Sequence, residues 1–81
     1  MKYATEITFD GQRASLGRAV VVRTRDGDLE AATITTITSK DDVMMCGFNV
    51  DISSRYSFIP TKTEDDINAL PEGAWTWPVR V

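Results

Sequence analysis

Apolar side chains recur at every second position in several short runs of this chain, and turn residues separate the runs. In residues 3–9, YATEITF, Tyr3, Thr5, Ile7 and Phe9 fall on one side and Ala4, Glu6 and Thr8 on the other. That alternation suits a half-buried strand, or a terminal arm that docks on a partner. DGQRASLG follows as a loop, marked by Gly11 and Gly17. Residues 18–24, RAVVVRT, make the clearest strand, because β-branched valines fill its centre. Asp26 and Gly27 then predict a tight hairpin of type I′, since both tolerate a positive φ. The returning strand is LEAATITTIT, residues 29–38, in which Ile34 and Ile37 break strict alternation. The break predicts a bulge or strong coiling near Thr35 and Thr36.

Beyond the polar turn SKDD, the run VMMCGFNVDI sets Met44, Cys46, Phe48, Val50 and Ile52 on one face. Five apolar side chains at period two predict a central strand, with Cys46 a small buried hydrophobe and Phe48 in the core. SSRY turns the chain again, and YSFIP is a short strand that stops at Pro60. The one helical turn lies in TKTEDDINALP, capped by Thr63 and ended by Pro71 and Gly73. AWTWPV is the last strand, where Pro78 suits a sheet edge. These elements predict one domain over residues 1–81 of the all-β class: a small antiparallel SH3-like barrel with one short helical turn.

Composition narrows the chemistry. The 81 residues include no histidine and one cysteine. This removes the commonest neutral-pH base, any Ser-His-Asp or Cys-His arrangement, an internal disulfide, and a zinc site within one chain. We therefore expect no enzyme, no metal and no cofactor. The single cysteine favours a reducing compartment. No apolar run approaches the ~18 residues that span a bilayer. The N-terminal MKYATEITFD lacks the apolar stretch of a signal peptide. The expectation is a soluble cytoplasmic protein with no membrane partner and no role in nucleic-acid binding.

The net charge of −3 is unevenly spread. Residues 1–25 carry five basic and two acidic side chains, and residues 26–81 carry four basic and ten acidic ones. Arg18, Arg23 and Arg25 lie on or beside the valine strand, where they can hold a phosphate or carboxylate bidentately, or stand as exposed charges opposite Val20 and Val22. Glu64, Asp65 and Asp66 suit the positive end of the helical turn, or a contact with a basic protein surface. DGDLE at residues 26–30 lacks the closing glutamate of a calcium loop and reads as a solvated hairpin tip. Trp75 and Trp77 are one residue apart and face the same way on a strand. A barrel of this size has room for one large indole in its core, so the pair predicts one core tryptophan, the more buried being Trp75, while the second closes the barrel's open end, meets a subunit or partner, or stacks on a base.

In order, SLGRAVVV, EAATITTI, FNVDI and PEGAWTWP resemble segments of small proteins encoded by tailed phages and prophages. Those typically show G-R-x-V-x-V, A-A-x-I/V-T, V-N-V/L and G-T-W-x-W-P patterns. The resemblance covers little more than half of the chain, and the stretch from Ser53 to Asn68 departs from it. It implies a compact β-barrel in a phage setting and assigns no catalytic or binding residue. Three functions then compete. The first is a non-enzymatic protein that binds and inhibits a host protein in the host cytoplasm, as counter-defence or host takeover. The second is a homo-oligomer that holds a small anionic ligand such as a nucleotide between subunits. The third is a structural phage component joined by strand addition.

Overall fold

The computed structural model describes residues 7–39, 42–50 and 55–78. Thr8–Phe9 (β1) and Gln12–Arg13 (β2) form a two-stranded hairpin. Five further strands make one sheet: β3 (Ala19–Arg23), β4 (Leu29–Ser39), β5 (Asp42–Gly47), β6 (Ser57–Phe58) and β7 (Ala74–Thr76). Their order is β5-β4-β3-β7-β6, and the sheet curls into a half-barrel. A short helix, α1 (Glu64–Asn68), lies between β6 and β7 in sequence. The chain is thus predominantly β, as its alternation predicts.

The valine strand behaves as read. Val20 and Val22 are fully buried, while Ala19, Val21 and Arg23 face the other way. On β4 the expected bulge is present: Ile34 pairs with Met45, but Thr36, not Thr35, pairs with the next residue back, Met44. Two residues on β4 thus oppose one on β5, and the pleat changes parity. That is why Ile34 and Ile37, three positions apart, both point into the core. Burying such a side chain contributes ~1.5–3 kcal/mol.

Five expectations need correction. The inward face of β5 is Val43 and Met45, not Met44, Cys46 and Phe48; Cys46 is exposed and Phe48 is 95% exposed. The true register puts the two residues opposite Ile34 and Ile37 inside, and the chain turns at Gly47, so Val50 reaches the core from beyond the strand. Ile52, assigned to the same face, lies outside the described residues. Second, among the described strands β5 stands at one end of the order rather than at its centre, with Arg55 bridging its Met44 on the far side.

Third, β7 is inside the sheet, between β3 and β6. Pro78 demands no edge because the strand ends at Thr76, before a missing N–H matters. Fourth, β6 and β7 pair in parallel, so the sheet is not purely antiparallel; the chain between them, with α1, carries the crossover.

The fifth concerns the turns. At Asp26–Gly27 only Gly27 takes a positive φ (93°), and the Thr24 N–H donates to Asp28 O at 2.8 Å. This is a three-residue loop with a glycine after a tight turn, held also by the Asp28 N–H donating to Thr24 Oγ1. The same dipeptide makes the two-residue turn elsewhere: Asp10 (φ 50°) and Gly11 (φ 76°) join β1 to β2, with Phe9 opposite Gln12.

Candidate functional site

The Trp75 and Trp77 indoles do face the same way, but both are buried, at 1% and 4% exposure. They meet edge to face, with centroids 5.0 Å apart, and Phe9 and Phe58 pack on Trp75 at 4.9 and 4.8 Å. Trp77 Nε1–H donates to Phe9 O at 2.8 Å. The β1–β2 hairpin therefore closes over the aromatic cluster and supplies the room that a single-indole core would lack. Neither tryptophan offers a ring to a partner.

The three arginines are each engaged separately. Arg18 lies over the Trp77 ring, 4.0 Å from its centroid, and donates to Arg13 O at 2.6 Å and to Gln12 Oε1. A guanidinium stacked on an indole in this way ties the hairpin to the core. Arg23 donates to Leu70 O (3.0 Å), Gly27 O (2.8 Å) and Asn68 O (2.7 Å), bridging the β3–β4 turn and the end of α1. Arg25 donates to Arg55 O at 2.8 Å, sits 5.6 Å from the Tyr56 ring centroid and packs on Gly73. The side chains read as an anion cradle are brought to three different sets of backbone carbonyls and ring faces.

Glu64, Asp65 and Asp66 occupy the first turn of α1 and are exposed. Thr63 caps the helix: its Oγ1 accepts from the Asp66 N–H at 3.2 Å, and Asp66 Oδ2 accepts from the Lys62 and Thr63 N–H groups at 3.0 and 3.2 Å. The Lys62 backbone donor, then that of Thr63, holds the Asp66 carboxyl below its ordinary 3.8. A shallow groove of ≈ 350 Å³ runs beside α1, lined by Ile59, Pro60, Leu70 and Pro71 together with Lys62 and Asp66. Among the described residues no three His, Cys, Asp or Glu side chains are grouped to hold a metal ion, and no helix is long and apolar enough to cross a membrane.

Sequence reasoning missed the most exposed large apolar side chain among the described residues. Phe48 stands at the tip of the turn after β5, almost wholly in solvent. The turn is closed at both ends: Gly47 N–H donates to Val50 O (3.0 Å) and Val50 N–H returns to Gly47 O (3.4 Å). Glu30 clamps it from β4, its Oε1 accepting from the Asn49 N–H at 2.9 Å and its Oε2 from Asn49 Nδ2 at 2.8 Å. Gly47 itself packs too closely for a larger residue, because a Cβ there would lie 2.9 Å from Ala31 O. Val50, 2% exposed, anchors the far side. An exposed phenylalanine is thus presented on a fixed support. Gly-Phe-Asn is a turn-like signal that the period-two reading overrode.

The outer face of the sheet is built from paired rows. Paired residues share a face, so Ala19, Thr33 and Cys46 form one row and Val21 and Ala31 another. Ala19, Ala31, Thr33 and Cys46 are exposed and Val21 is half-buried. Thr76, next to Val21 on the same face, is buried, because Thr61 lies against it with the two hydroxyls 2.8 Å apart. No protein-family model, curated protein or solved structure matches the chain.

Proposed function

We propose that the protein is a non-enzymatic, phage-type binding protein that docks on a host protein and inhibits it in the host cytoplasm. One observation carries this reading: Phe48 is 95% exposed while its turn is held by Glu30, Gly47 and Val50. Exposing a large ring forgoes the ~1.5–3 kcal/mol that its burial would contribute. A fixed turn also loses little conformational entropy on docking, which is what a contact anchor needs. Aromatic side chains of this kind dominate the energetics of protein contacts when a partner's pocket covers them. The uncharged rows of the outer face extend the contact, and the acidic turn of α1 offers a second point for a basic partner surface.

The competing anion-binding reading has less support, since Arg18, Arg23 and Arg25 already donate to the protein's own carbonyls. The test is co-purification from host cells with the wild type and with Phe48→Ala. A host protein retained in stoichiometric amount by the wild type and lost with the variant, at unchanged melting temperature, is the expected result. Retention of the same proteins by both would overturn the role of Phe48.

A further inference from the structure

We infer that the groove beside α1 takes one aliphatic side chain from an extended, basic segment of a partner protein. The inference gives chemistry to the second contact point of the host-protein reading; it rests on that reading for the kind of partner, and not on Phe48. Ile59, Pro60, Ala69, Leu70 and Pro71 make the groove apolar, and its volume of ≈ 350 Å³ lies at the small end of what ligands fill. Leu70 is 4% exposed yet stands apart from the main core cluster, so it serves as the floor of this groove. A groove this shallow accepts one side chain from a chain laid across it.

Hydrogen bonding decides what surrounds that side chain. The Ile59 N–H donates to Trp75 O at 3.0 Å, the Ala69 N–H to Asp65 O at 3.1 Å and the Leu70 N–H to Ile67 O at 3.0 Å. The Lys62 N–H is spent on Asp66 Oδ2, and the Thr61 hydroxyl is paired with that of Thr76. Pro60 and Pro71 have no N–H to give. Arg23, which reaches Leu70 O and Asn68 O from β3, spends its guanidinium on those carbonyls and on Gly27 O. The rim is short of donors, so it suits a segment that brings its own.

Charge names those donors. Residues 59–72 carry Lys62 against Glu64, Asp65, Asp66 and Glu72, which sums to −3. The whole chain also sums to −3, so the other residues balance, with eight basic and eight acidic side chains. Glu64, Asp65 and Glu72 are exposed, while Asp66 is held in the cap. The excess negative charge thus lies around one apolar groove, where it draws lysine and arginine side chains. The same field repels nucleic acid and an anionic membrane surface.

The probe is a synthetic peptide with one leucine between two pairs of lysine and arginine, its ends capped. NMR titration of the full chain should show saturable amide shifts centred on Thr61, Ala69 and Leu70. Affinity should fall about tenfold between ~10 and ~150 mM salt, as the field is screened. Serine in place of the leucine should weaken binding several-fold, and glutamates in place of the basic residues should abolish it. Ala69→Lys fills the groove with a cation and should also abolish it. A lysine at the C-terminal end of α1 suits the helix dipole, so the melting curve should hold. Should that variant melt early, Glu64→Gln combined with Asp65→Asn decides, since it spares the Asp66 cap: it should lower affinity several-fold and flatten the salt dependence. Absence of a saturable shift at millimolar peptide overturns the inference. So does equal binding of the leucine and serine peptides, since charge alone then explains it. Phe48→Ala should bind the peptide as the wild type does, so failure here is distinct from failure of the contact that Phe48 anchors.

Discussion

At the scale of single residues, the structure separates two aromatic roles that look alike in the sequence. Trp75 and Trp77 are both core, so replacing either by alanine should cost ~3–5 kcal/mol, a large part of a small domain's stability. Trp77→Ala also removes the indole donor to Phe9 O and the ring beneath Arg18, so we expect it to be at least as damaging as Trp75→Ala. Thermal melts of the two variants check this; a folded Trp77→Ala protein with near wild-type stability would contradict it. Phe48→Ala should do the opposite and change the melt by no more than about 0.5 kcal/mol, as surface substitutions do. Gly47→Ala should destabilise by ~1–3 kcal/mol through the clash with Ala31 O, and should shift the Phe48 turn. Exposure of Phe48 was not legible from alternation, because Met44, Cys46 and Phe48 fit period two as well as Val43 and Met45 do. What decides the register is the partner strand, which a local pattern does not contain.

At the scale of elements, α1 depends on its cap more than on its own length. Thr63→Ala should cost ~1 kcal/mol by removing the acceptor for the Asp66 N–H. Asp66 makes the same cap sensitive to acid. Its carboxyl titrates lower in the folded chain than unfolded, because the Lys62 and Thr63 N–H groups favour the charged form. Its stabilising contribution is therefore complete above the ordinary carboxylate value and is lost as pH falls through the lowered one. Asp66→Asn should make the acid limb of stability shallower in that range; parallel limbs for the two proteins would refute it. The helix, its cap and the β4 bulge were all legible, since each follows from chemistry within a few residues: Thr63 with its acidic turn, and Ile34 with Ile37. The hairpins were half legible. Asp-Gly occurs twice, and only the flanking strand register decides which copy makes the two-residue turn.

At the scale of the whole molecule, the class of fold was readable and the strand order was not. Nothing near Trp75 in sequence indicates that β7 lies between β3 and β6, because its neighbours come from distant parts of the chain. Pro78 argued for an edge only if the strand reached it. Strand order has a kinetic consequence. β3, β4 and β5 join through short connections and can form as a meander from local contacts. β7 must arrive from far along the chain and insert beside β3, after the entropy of a long closure has been lost. Val20 and Val22 cannot be sealed from water until Trp75 and Trp77 close over them. On a ribosome, the nascent chain therefore holds a three-strand sheet with an unfinished apolar side until the residues through Trp77 have left the exit tunnel. Folding completes after synthesis of that segment rather than alongside it. Chains stalled before residue 74 should be cut rapidly by protease, whereas chains extended past residue 78 by a flexible linker should resist.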